Sequence, residues 1–151
     1  MASAVVPIAL LVAVLNAVAA ALGAWRWWRV LDPDPWFWRA VRAGQASAVF
    51  FAAFAGVLAA TGHEPGDGLF WLYALLPLAV AFVGEQLRVA AAASILAQHD
   101  LAGSAAVGRL PEQEQRGIVI EIVRREIGVM ALSALVVSFL ALRAAGTAHG
   151  F

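Results

Sequence analysis

The strongest constraint in this chain is a run of 22 residues, 3–24, without one charged side chain. Roughly 20 apolar residues are needed to cross the hydrocarbon core of a bilayer as a helix. Three more such stretches follow: 43–61, 69–84 and 127–142. The intervals between them gather nearly all the charge, and turn residues punctuate them. Composition agrees. Hydrophobic residues make up 63% of the 151 and charged residues 13%, against ordinary values of ~45–50% and ~25%. So few polar groups could not cover a water-soluble fold, whereas lipid suits them as solvent. The expected fold is all-α: a polytopic membrane protein, a four-transmembrane-helix bundle in one domain with cytoplasmic helix extensions.

The first run begins Met-Ala-Ser-Ala, with no positive n-region, and is longer than the apolar part of a signal peptide. It reads as a retained helix over about 3–24. An interfacial segment, 25–42, follows. It holds Trp25, Trp27, Trp28, Trp36 and Trp38 among Arg26, Arg29, Arg39 and Arg42. Indole rings favour the headgroup level, and Arg beside them can reach lipid phosphate. Within it, Asp32-Pro33-Asp34-Pro35 marks a helix start, with Asp34 as cap and Pro35 in the first turn.

The second span covers about 43–61, with Gly62 as a stop. Thr61–Gly68 is dense in turn residues, and Asp67 is placed to cap the third helix. That helix spans about 69–89 and continues beyond the bilayer, for about 28 residues in all, with Pro77 positioned to kink it. A cytoplasmic connection, 99–116, leads to Pro111, which opens the last helix. Glu112 and Glu114 suit its positive end. Glu112–Arg116 and Glu121–Arg125 stand four apart for helix-supporting ion pairs. The fourth span is about 127–146. Small-residue stripes at Ala13, Ala17, Ala21 and at Ala48, Ala52, Gly56, Ala60 would let helices approach closely.

All ten basic residues are Arg. Nine fall in or beside the two connections on one side, and only Arg143 on the other. The positive-inside rule then puts the Arg-rich side in the cytoplasm, most simply under a bacterial cytoplasmic membrane, with both termini outside.

The candidate site is an intramembrane charge network of Glu85, Arg88, Arg42, Arg124, Arg125 and Glu126. Counting ~1.5 Å per residue from the outer ends, Glu85 lies ~24 Å deep, Arg42 ~29 Å and Glu126 ~30 Å. A charge at a span's centre costs about 2.5–3.5 kcal/mol on insertion scales, less towards the interface. Glu85 is therefore expected to pair with one or more of Arg42, Arg88, Arg124 and Arg125, with Gln45 and Gln86 joining. Asn16, within the first span, is expected to hydrogen-bond to a neighbouring helix. Trp25, Trp27, Trp28, Trp36, Trp38, Arg26 and Arg29 form the interfacial anchor.

Net charge is zero, so no nucleic-acid partner is expected. The absence of Cys removes thiol catalysis, disulfides and thiolate metal sites. No phosphate-binding loop, dinucleotide fingerprint, nucleophile motif or zinc motif is present. No His falls inside a span, which argues against a membrane haem. His63, Glu64, Asp67 and His149 read as polar loop residues rather than a metal site. No cofactor is expected. The expected partners are the lipid bilayer and either another membrane protein or a second copy. The leading function is a non-enzymatic accessory, scaffold or self-associating subunit. A small oligomeric transporter or channel using Glu85 is the alternative, and a lipid-acting enzyme a weaker one.

Overall fold

The structure, a computed structural model, describes residues 2–29 and 34–148. After a short 3-10 turn, Ala2–Ala4, come α1 (Val5–Arg29), α2 (Pro35–Ala60), α3 (Leu69–Gln98), the single turn α4 (Ser104–Val107) and α5 (Glu112–Thr147). No strand occurs among the described residues. Four of the helices, α1, α2, α3 and α5, are long and apolar enough to cross a membrane. α5 lies along both α1 and α3, and α2 closes the ring between α1 and α3.

Local chemistry explains where the helices start and stop. The Asp34 carboxylate accepts from the Trp36 backbone N–H at 2.9 Å, and Pro35 occupies the first position of α2. α2 ends with Gly62 at φ 74°. The Gly62 N–H bonds to the Ala59 carbonyl and the His63 N–H to Leu58, the double closure that a left-handed residue permits. α3 ends the same way, with Asp100 taking the left-handed conformation at φ 55°. Asp67 Oδ1 accepts from the Leu69 N–H at 2.9 Å, capping α3 as its sequence suggests. Pro77 lies buried inside α3.

The interfacial segment does not stand apart from the spans. α1 runs unbroken through Arg29 and α2 starts at Pro35, so the Trp/Arg residues occupy the last turns of one helix and the first turns of the next. Asp32 and Pro33 lie outside the described residues.

Along α1 and α5, small residues face inward and many large apolar ones outward. α5 buries Ala131, Ala134, Ala141 and Ala144, and exposes Leu132, Leu135, Phe139 and Leu142. α1 likewise buries Ala9, Ala13 and Ala19 and exposes Leu10, Leu11 and Val18. Small residues at the contacts and large apolar ones outside are the arrangement expected where lipid, not water, surrounds the bundle. Ala13 of the α1 stripe and Ala48 and Ala52 of the α2 stripe are spent on this internal packing, while Ala17, Ala21, Gly56 and Ala60 face outward.

Two apolar cores result. One, near the termini, is built on Phe51, Leu58, Phe70, Val137 and Ala141. The other, near the Arg-rich end, is built on Phe37, Val41, Ile127 and Met130. Polar groups lie between them.

Candidate functional site

The charged residues converge as their common depth suggests. The Glu85 carboxylate on α3 is gripped from α2: Oε1 accepts from Arg42 Nη1 at 2.6 Å and from Gln45 Nε2 at 2.9 Å. Its other oxygen accepts from Arg88 Nε at 3.0 Å, one helical turn away. Arg42 Nη1 also donates to Gln45 Oε1 at 2.6 Å, closing a triangle. Arg88 continues the network to α5, its Nη1 standing 3.7 Å from Glu126 Oε1, and its guanidinium lies 5.6 Å from the centre of the Trp38 ring. Two acids and two bases make the cluster neutral, and it joins α2, α3 and α5.

Not every expected member belongs. Arg124 stacks over Trp27 at 5.5 Å, and Arg125 lines a groove on the outside of the bundle; among the described residues neither pairs with Glu85. Gln86 is exposed on the outward side of α3, because one residue turns a helix by about 100°. The predicted pairs within α5 also do not close. Glu121 instead meets His99 Nε2 at 3.2 Å, tying the end of α3 to α5, and neither Glu112–Arg116 nor Glu121–Arg125 forms an ion pair among the described residues.

A polar layer continues inward from Glu85. Asn16 of α1 is buried, and its Nδ2 donates to the Val12 carbonyl at 2.9 Å and, across the helix interface, to the Gly44 carbonyl at 3.3 Å. Gly44 is needed there: a Cβ at that position would stand 2.7 Å from Asn16 Oδ1. Beside Asn16, Gln45 and Ser133 lies a central cavity of about 10 Å³, close to the space one water needs. Ser138 Oγ donates to the Ala13 carbonyl at 2.9 Å, a second polar tie to α1, this one from α5.

The aromatic residues divide into two groups. Trp25, Trp28 and Trp36 are exposed, with Arg29 over Trp25 at 5.2 Å and Arg39 over Trp36 at 4.9 Å. Arg26 forms an ion pair with Asp34, linking the ends of α1 and α2. Trp38 turns inward, against the core and under Arg88, so it braces the charge cluster rather than anchoring the surface. Trp27 leans over α5 at Gly128, with its indole 3.2 Å from where a Cβ would be.

At the opposite end His63 Nδ1 lies 3.0 Å from Thr61 Oγ1, and Arg143 lies over Tyr73 at 5.4 Å. Among the described residues no three His, Asp or Glu side chains gather as a metal would require; His149 lies outside them. The aromatic partners of Arg88 and Arg124 carried a sequence signal, in the density of Trp beside the inner charges, but the pairing between them had none.

No family model, no curated protein and no solved structure matches this chain.

Proposed function

We propose that this chain is an integral membrane subunit that works by association, as an accessory or scaffold protein or as a self-associating one. It would span the bilayer four times, with the Arg-rich end in the cytoplasm and both termini outside. The nine-to-one distribution of Arg supports that orientation, and the outward display of large apolar side chains supports lipid as the solvent.

The observation that carries the reading is the outer face of α3. This is the least covered of the four long helices, and at Gln86 it presents an exposed amide about 26 Å from Leu69, within hydrocarbon depth. A polar side chain facing outward at that depth is best satisfied by another helix, where interhelical hydrogen bonds contribute about 0.6–2 kcal/mol. The closed interior points the same way. Glu85 and Glu126 are engaged by Arg, and the central cavity of about 10 Å³ is too small for a permeation path. A lipid-acting enzyme would need a free acid or base in a cleft, whereas the outer groove is lined by Arg125 without a carboxylate.

Purification from native membranes in mild detergent, followed by mass measurement, tests this. A defined complex, with itself or with another chain, is expected; a lone monomer would sink the reading.

One observation favours a second reading. Asn16 and Gln45 line a water-sized space, and Gln45 bonds to Glu85, polar groups that a small ion or proton transporter would use. Flux into liposomes that Glu85→Ala abolishes would favour it over association alone.

A further inference from the structure

Neither the charge cluster nor the association reading makes use of the groove between α1 and α5. It holds about 760 Å³ and is almost wholly apolar. Its floor exists because Ala17, Ala21 and Ala24 carry only a methyl group and Gly128 none; Leu132 and Leu135 form the far wall. Polar chemistry is confined to one end, where Trp27 and Arg125 stand.

Three features of that end point to one occupant. The first is level. Arg125 lies about 33 Å from Thr147 along α5, just beyond a hydrocarbon core of roughly 30 Å, where lipid phosphate would sit. The second is charge. Glu121, one turn from Arg125, is engaged by His99, and Glu126 faces Arg88. No carboxylate among the described residues answers Arg125, and Arg124, stacked on Trp27, adds a second positive charge. The third is length. From Arg125 to Leu135 is about 15 Å along the helix axis, the thickness of a single leaflet's hydrocarbon. A helix from a second copy would need a small-residue face along the whole span, but beyond Ala17 the outward face of α1 turns to Val14, Leu11 and Leu10.

We propose that this groove holds one acyl chain of an anionic phospholipid from the leaflet at the Arg-rich end, with the phosphate against Arg125. The Trp27 indole N–H, without a hydrogen-bond partner among the described residues, is placed to be a second donor. The inference goes beyond the association reading and requires only that the helices sit in a bilayer.

The test is native mass spectrometry of the purified protein with added phosphatidylglycerol or phosphatidylcholine. One phosphatidylglycerol should be retained per chain, preferred over phosphatidylcholine by about fivefold, as one interfacial Arg would give. Arg125→Gln should remove most of the preference, the remainder being what Arg124 supplies. Ala21→Phe, on an exposed position, should remove the bound lipid, while Arg143→Gln at the far end should change nothing. Equal retention of the two lipids, or full retention by Ala21→Phe, would overturn the proposal. So would efficient disulfide linkage between copies carrying Ala21→Cys, which is unambiguous in a chain without other Cys. Carbonate extraction separates the two failures. A chain washed from membranes removes the membrane reading itself; one that stays but fails the lipid test removes only the lipid site.

Discussion

Gln45 on α2 and Glu85 on α3 meet at 2.9 Å, with Arg42 bonded to both. The amide thus buttresses a direct Arg42–Glu85 ion pair between the two helices. The arrangement fixes α2 against α3 both in height and in rotation, since a shift by one residue on either helix would separate the groups.

Loss of the carboxylate charge should therefore destabilise. Glu85→Gln leaves Arg88 with Glu126 alone and Arg42 without a carboxylate, an uncompensated positive charge in a partly buried site. A loss of about 2 kcal/mol is expected, below the full range for buried pairs because Arg42 is half-exposed. Unfolding in mixed micelles measures it. The double variant Arg42→Gln/Glu85→Gln, again neutral, should recover part of the loss. No effect of Glu85→Gln would show that the cluster does not hold the helices.

The contact between α1 and α2 should be intolerant of bulk. Gly44→Leu would drive a side chain into Asn16, with an expected cost of about 1–3 kcal/mol as overpacking. Asn16→Ala removes one interhelical hydrogen bond and should cost about 1 kcal/mol. The same unfolding measurement would rank them, and the reverse order would contradict the packing described.

Arg88 sits between Glu85, Glu126 and the Trp38 ring. Trp38→Leu should then loosen the cluster although it removes no charge, by about 1 kcal/mol beyond the lost apolar area. Trp28→Leu, on a fully outward position, should leave stability unchanged. Equal effects at the two sites would mean that Trp38 is only an interfacial anchor.

Orientation can be read with single cysteines in this Cys-free chain. A thiol placed at His63 should react with an impermeant reagent added outside intact cells, and one at Ser104 only after permeabilisation. The opposite pattern would invert the proposed topology.

Much of this helical architecture was legible in the sequence because a long charge-free apolar run is a simple signal. A charge-free run long enough to cross hydrocarbon has few other uses, so all four long helices could be placed. Asp34-Pro35, Gly62 and Asp67 marked helix ends correctly because capping is local chemistry. Depth counting brought Glu85 and Arg42 together, since both are set by distance from a helix end. Rotation about the helix axis was not legible. Gln45 and Gln86 both lie near Glu85 in depth, yet only Gln45 faces it. Arg124 and Arg125 were grouped with the cluster for their depth, but one stacks on Trp27 and the other borders the groove. Trp38 read as one more surface indole. Which helices adjoin decides such cases, and hydropathy carries no record of that. Nor does i,i+4 spacing: Glu121 leaves Arg125 for His99, a partner 22 positions away.

The outer face of α3 decides the central claim. A photo-crosslinking amino acid should replace Val89 in cells, exposed on α3 one turn from Gln86, with Leu10 on the exposed face of α1 as the control position. A discrete protein adduct from position 89 and none from position 10 is the predicted result. Monomer alone at both positions would contradict the claim that this chain works by binding another membrane helix.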